Sequence, residues 1–223
     1  LWNEVVPRGC PVRVILNGVD TEVYRPREPS ASLRSELGLT PDTPVLGSIG
    51  RLQPIKGYDV MIEAFVRLQE LPVPGPAPVL VLAGDGPEME RLRARVAATG
   101  LGERVHLLGW RDDVHDLLSC FSVFTMSSRS EGTSVSLLEA MSSGLCPVVT
   151  RVGGNPEVLG PELEHGLVPS ESPEALARAW ADVLSDRARL EGDGARARGR
   201  VEERYSLRRM VEEYVGVYTG EEA

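Results

Sequence analysis

Glu131 and Glu139 stand eight residues apart in the segment SRSEGTSVSLLEAMSSG (Ser128–Gly144). The first lies just before a helical pattern and the second about two turns into it. Gly132, Thr133 and Ser134 open that helix with small or capping residues, followed by Val135, so free amides face the strand ends. Glu139 is flanked by Leu137, Leu138, Ala140 and Met141. A carboxylate buried there has to be paired or hydrogen-bonded, and accepting two neighbouring hydroxyls of a ligand is a natural use for it. A solvated helix face is the competing reading, weakened by the apolar residues on both sides.

A second segment, SIGRLQPIKG (Ser48–Gly57), joins a strand pattern to a helix pattern and carries Arg51 and Lys56. Glycines such as Gly50 let the backbone approach a ligand, and the next helix offers unpaired N–H groups to an anion. Arg51 can grip phosphate oxygens in a fork, and Lys56 adds a point charge. Two solvated cations on a surface loop would look the same in sequence.

Other chemistries find less support. AGDGPE (Ala83–Glu88) follows a strand and opens a helix, but Met89 holds the place of the third glycine of a dinucleotide fingerprint. The next strand ends in Leu108-Gly109-Trp110, without the acid that would hold an adenosine ribose. There is no GxxxxGK[ST] loop, no GxSxG elbow and no Cys–His pairing. His106, His115 and His165 are scattered and read as structural or surface residues. No DxD pair is present to hold a metal; Asp112-Asp113 reads as charge for the first turn of a helix. The Ala195–Arg204 run, with Glu202 and Glu203 in it, reads as a solvated helix face.

These residues need a scaffold, and the hydrophobic pattern supplies one. Strands are expected at Val12–Leu16, Val45–Ile49, Val79–Ala83, Val105–Leu108, Val123–Met126 and Pro147–Thr150. Most are apolar throughout, as strands buried on both faces of a parallel sheet are. Helices are expected near Gly57–Glu70, Pro87–Thr99, Asp113–Cys120 and Thr133–Ser143, with Gly100 and Gly144 as stop signals. From Ser172 onward the pattern is helical, over Pro173–Ser185, Arg187–Arg204 and Leu207–Tyr218. The fold class is therefore α/β, a doubly wound parallel sheet with a helical C-terminal extension and ligands at the carboxyl ends of the strands.

Composition narrows the ligand. The chain has 223 residues, 42% of them hydrophobic and 26% charged, enough for a globular core. Its net charge of −9 argues against nucleic acid and anionic membrane surfaces, so an anionic ligand must be met by a local cluster of donors. Cys10, Cys120 and Cys146 are far apart, without metal-ligand spacing, which suits a reducing cytoplasmic compartment. Apolar runs fall far short of the ~18 residues of a membrane helix, and Leu1–Cys10 does not read as a signal peptide. A first residue of Leu reads as the start of a piece of a longer chain.

The segments ILNGVD (Ile15–Asp20), GRLQPIKG (Gly50–Gly57), LAGDGPE (Leu82–Glu88), HLLGW (His106–Trp110), EGTSVSLLEAMSSG (Glu131–Gly144), VVTRVGGNPEVL (Val148–Leu159) and HGLVP (His165–Pro169) follow one another in an order similar to that of the retaining group 1 glycosyltransferases. The chain resembles the C-terminal half of that GT-B family over about residues 10 to 180. Each segment alone is modest evidence; seven in order are strong.

The resemblance implies a nucleoside-diphosphate sugar donor, such as a UDP- or GDP-sugar, and no metal. Arg51 and Lys56 would hold the diphosphate, with Gly50 beside them. Glu131 would sit by the transferred sugar and Glu139, closing the family's E-x7-E motif, would bind the ribose. The amides of Gly132, Thr133, Ser134 and Val135 would meet sugar and phosphates, and backbone near Trp110 would face the base. On this reading Arg51, Lys56 and Glu131 are the catalytic group. Residues 1–11 would be a hinge, 12–205 the nucleotide-sugar-binding domain, and 206–223 a C-terminal helix packing on an N-terminal acceptor domain not contained in this chain. Without that domain the helix would expose Met210, Tyr214 and Tyr218, and the fragment would be inactive alone. The acceptor would be a glycan or a lipid-linked sugar in bacterial polysaccharide assembly, and the location cytoplasmic, peripheral to the inner membrane through the absent domain.

Leu16 replaces a common family Pro, Cys146 stands where Ala or Leu is commoner, and Thr133-Ser134 replace a common Phe-Gly, which alters the shape of the sugar pocket. The alternative function is a stand-alone nucleotide-binding module without turnover.

Overall fold

A computed structural model describes residues 12–220. The expected hinge at 1–11, Cys10 and the last three residues lie outside this range. Six parallel strands, β1 (Val45–Ile49), β2 (Val79–Ala83), β3 (Val105–Gly109), β4 (Val123–Met126), β5 (Cys146–Thr150) and β6 (Leu167–Val168), form one sheet in the order β3-β2-β1-β4-β5-β6. The apolar runs are strands because both sheet faces are covered, and β2, β4 and β5 are buried along their whole length.

On one face pack α2 (Tyr58–Leu68), α3 (Met89–Thr99) and α7 (Pro173–Leu184), whose Phe65, Leu92 and Trp180 meet Leu46, Leu80 and Val148 of the sheet. Trp180 is fully buried, and its indole N–H donates to Thr125 Oγ1 at 3.0 Å. On the other face pack α1 (Ala31–Glu36), α4 (Val114–Cys120), α5 (Val135–Ser142), the short α6 (Asn155–Leu159) and α8 (Arg187–Arg204), with Leu117, Leu137 and Val201 against Val81, Phe124 and Val149. The last helix, α9 (Leu207–Thr219), begins at an N-cap, Ser206, whose hydroxyl accepts from the Arg209 amide. Cys120 and Cys146 are free and buried, and burial pushes the Cys146 thiol up to about 12.

Several expectations need correction. Val12–Leu16 is not a strand. Its backbone joins no ladder, Val12 and Val14 are exposed, and the chain runs on to Val19, which forms a parallel bridge with Ser206. Conversely, β6 was hidden in HGLVP because two residues are too few to carry a period. The Ala195–Arg204 run is more than a solvated face. Ala197 and Val201 are fully buried, while Arg198 donates to the Ser142 carbonyl and Arg200 to those of Glu157 and Val158, satisfying the last turns of α5 and α6. On α9, Tyr214 and Tyr218 are exposed as expected, but Met210 is half-buried, with its sulfur 3.2 Å from the Gly18 amide. Leu207, Val211, Val215 and Val217 complete the exposed apolar side.

Candidate functional site

Reversal of strand order falls between β1 and β4, and the loops leaving their carboxyl ends flank the crevice that such a reversal opens. The β1 loop carries Arg51 and Lys56; the β4 loop carries Glu131. Past the end of β1, Gly50 N donates to Ala83 O (3.0 Å) and Leu52 N to Asp85 O (2.9 Å), so the loops after β1 and β2 extend the ladder beyond the strands. Pro54–Lys56 then form a single 3-10 turn, closed by Gly57 in the left-handed region (φ 65°). A Cβ on Gly57 would lie 2.1 Å from the Ser127 carbonyl oxygen, so only glycine lets the β1 and β4 loops meet there. The Ser127 hydroxyl secures the junction, within hydrogen-bond reach of the carbonyls of Lys56 (3.1 Å) and Gly57 (2.8 Å).

Across this junction Lys56 Nζ lies 2.7 Å from Glu131 Oε1, with the lysine 24% exposed and the glutamate 7%. The Ser128 hydroxyl donates to the same oxygen at 2.5 Å. The loop is held from below, where Thr150 Oγ1 donates to the Ser128 carbonyl at 2.7 Å. Gly153, at φ +50°, passes so close that an added Cβ would meet the Glu131 carbonyl oxygen at 1.7 Å.

The helix after Glu131 begins at Val135, so Thr133 belongs to the preceding turn and Ser134 is the N-cap. Ser134 is extended (φ −73°, ψ 116°), but its side chain caps no amide and lies 3.2 Å from the Ser136 hydroxyl. The first-turn amides thus lack a side-chain cap, an arrangement suited to an anion. Gly132 is exposed with open space around it. The Thr133 carbonyl accepts from Asn17 Nδ2 at 3.0 Å.

Glu139 is the fifth residue of α5, nearer the N-terminus than the expected two turns. It is half-buried, and burial raises its carboxyl above the usual range while the neighbouring Tyr24 hydroxyl opposes the rise. The Tyr24 phenol is in turn pushed up to about 12, by burial and then by Glu139. The Tyr24 ring lies 4.8 Å from that of His115.

Gly50, Arg51 and Trp110 line a cleft of about 380 Å³ together with Asp85, Arg111 and Val114. Trp110 is 73% exposed. Arg51 is exposed, and among the described residues it makes no ion pair or side-chain hydrogen bond. Arg111 is committed elsewhere: its guanidinium donates to the carboxylates of Asp113 and Glu36, which hold it firmly charged.

The expected residues therefore fall into three groups. Lys56 and Glu131 touch; Gly50, Arg51 and Trp110 share the cleft; Glu139 lies along α5 against Tyr24. Sequence reasoning missed Asn17, Tyr24, Asp85, Ser128 and Arg129 as parts of this region. Asn17 and Asp85 stand inside motifs already singled out, and Ser128 is three residues before Glu131. Arg129 also stands in the Ser128–Gly144 segment but was given no role there, and nothing in the sequence pointed to Tyr24.

The fold matches that of a GT-B glycosyltransferase half. The crystal structure of Anabaena Alr3699/HepE in complex with UDP and glucose aligns with 93% of this chain and 56% of its own at a TM-score of 0.82 and 24% identity. A family model, glycosyl transferases group 1, matches residues 30–200, and the chain belongs to that family, as its C-terminal domain. The lipopolysaccharide core biosynthesis mannosyltransferase LpsB of Rhizobium meliloti is 29% identical over 214 residues, 93% of this chain and 60% of the relative. The UDP-Gal:alpha-D-GlcNAc-diphosphoundecaprenol alpha-1,3-galactosyltransferase of Escherichia coli is 32% identical over 178 residues, 79% of this chain and 46% of the relative. The chain thus spans about half the length of the curated relatives it matches.

Proposed function

We propose that this domain binds the nucleoside-diphosphate sugar for a retaining glycosyl transfer to a glycan or lipid-linked acceptor. The observation that carries the reading is the meeting of Lys56 and Glu131 at the strand-order reversal, beside the uncapped start of α5. In the reaction the bond from the anomeric carbon to the diphosphate breaks and a bond to the acceptor oxygen forms on the same face. A phosphate oxygen of the departing diphosphate takes the acceptor proton. Negative charge builds on that diphosphate, and preorganised donors stabilise it without reorganisation. Arg51, without an ion pair or side-chain hydrogen bond among the described residues, and Lys56 serve this purpose with the amides of α5. Glu131 faces the transferred sugar, Glu139 accepts the ribose hydroxyls, and the exposed indole and backbone at Trp110 border the base. The reading calls on side chains and amides alone, without a metal.

The acceptor site belongs, on this proposal, to an N-terminal domain that packs on residues 206–223, whose exposed Leu207, Val211, Tyr214, Val215 and Tyr218 offer an apolar side. The isolated chain would bind donor and not turn it over, working in the cytoplasm near the inner membrane. Removing Arg51 should cost about 10²-fold in the rate of the complete enzyme.

Calorimetric titration with UDP, GDP and ADP tests the reading. Saturable binding of one nucleotide, lost in Arg51→Ala and in Glu139→Ala, is the expected result and names the base. Failure of all three to bind at millimolar concentration would overturn the donor-site assignment.

A further inference from the structure

The Lys56 turn is held from one side by a single residue that has no part in the donor site proposed above. The main-chain N–H of Arg129 donates to the Ile55 carbonyl at 2.8 Å, and its guanidinium donates to the Pro54 carbonyl. The same guanidinium reaches Asp59 at the start of α2, Nη2 to Oδ2 at 3.1 Å, and Glu171 beyond β6, with which it forms an ion pair through Nε. Arg129 is two residues before Glu131, on the loop from β4, whereas Pro54 and Ile55 precede Lys56 on the loop from β1 and Asp59 follows it in the first turn of α2. One side chain thus spans the two loops whose tips carry the Lys56–Glu131 pair.

We infer that Arg129 is a positioning residue for Lys56: it fixes the 3-10 turn against the β4 loop so that the ammonium group points into the crevice. The inference rests on the donor-site reading, since it concerns what Lys56 would bind. The planar fork of an arginine is required, because three donors diverge towards a carbonyl and two carboxylates. An ammonium is a point charge that cannot span them. Asp59 is matched to this task. Burial alone would raise its carboxyl, but Arg129 and then Arg91 hold it below its ordinary range, so the brace remains ionised at neutral pH.

A binding cycle tests this in the full chain. Affinities for UDP, GDP and ADP, and for the matching nucleosides, are measured in the unsubstituted chain, Arg129→Ala, Lys56→Ala and the double variant. Arg129→Ala should weaken the nucleotide that binds by about tenfold, the loss of one charge-assisted hydrogen bond. It should leave the nucleoside unaffected and add nothing once Lys56 is gone. Arg129→Lys should fail to restore binding, and Asp59→Asn, which loosens the brace from its other end, should lower nucleotide affinity in the same direction without removing the guanidinium. An equal loss from Arg129→Ala with and without Lys56, or a parallel loss of nucleoside, would overturn the inference while leaving the donor site standing. Absence of nucleotide binding in the unsubstituted chain would overturn both together.

Discussion

Replacing Lys56 by alanine should destabilise the chain through Glu131 rather than through the lysine itself. At 2.7 Å the pair is in contact, and Glu131 is 7% exposed. After the substitution its carboxylate keeps one close donor, the Ser128 hydroxyl at 2.5 Å. Two unit charges about 4 Å apart at an effective dielectric of about 20 interact by roughly 4 kcal/mol, an upper bound from which the cost of desolvating both ions is subtracted. Lys56 retains 24% exposure, so water already screens the ammonium side and will partly rehydrate the glutamate once the lysine is gone. The expected loss is about 2 kcal/mol for Lys56→Ala, below the roughly 3–5 kcal/mol of a fully buried pair. Glu131→Gln should cost less, about 1 kcal/mol, because the lysine can turn to solvent. In the double variant no buried carboxylate is left, so its loss should fall short of the sum by about 1–2 kcal/mol. Urea unfolding of the four proteins measures the coupling. Additivity within about 0.5 kcal/mol would refute the claim that the pair is energetically linked.

Glu139, with its carboxyl raised by burial, binds more protons folded than unfolded just above its ordinary 4.5, so stability declines as pH rises through that window. Glu139→Gln should therefore unfold at higher urea than the parent at pH 7, with the difference closing towards pH 4.5, while losing nucleotide affinity throughout. His106 is shifted the other way: burial lowers it from 6.5, and its Nε2 has no partner among the described residues. The unfolded chain takes up that proton first as pH falls below 6.5, so stability should drop there, and His106→Leu should flatten the profile in chemical denaturation. Gly153→Ala meets both a positive φ and the Glu131 carbonyl at 1.7 Å. It should cost about 1–3 kcal/mol from backbone strain alone and weaken nucleotide binding by shifting the Glu131 loop, as denaturation and calorimetry on the same preparation would record.

How far the sequence reached depends on the range of each interaction. VLVLA (Val79–Ala83) reads as a buried strand because burial on both faces writes itself into consecutive residues. The apolar spacing of Leu207–Tyr218 is equally local. Lys56 and Glu131 were each suspected, but not their contact, which spans 75 positions and follows from β1 lying beside β4, an adjacency no local pattern encodes. Val12–Leu16 misled for the converse reason: its residues suit a strand, but they pair with none of the six strands. Leu167–Val168 and Asn155–Leu159 were too short to show a period. Arg129 looked like any charged loop residue, since its partners come from three places along the chain, the Pro54–Ile55 turn, Asp59 and Glu171.

Because Val19 bridges Ser206 and exchanges main-chain hydrogen bonds with Tyr205 and Leu207 at 2.8 Å each, the chain enters and leaves the sheet domain side by side. The two crossings act as a single pivot, so a torque applied through either end arrives at the same spot. Two residues before that pivot, Asn17 grips the Thr133 carbonyl just ahead of α5. A displacement of either crossing would thus be felt at the helix terminus through one short lever, with no need to pass through the six strands.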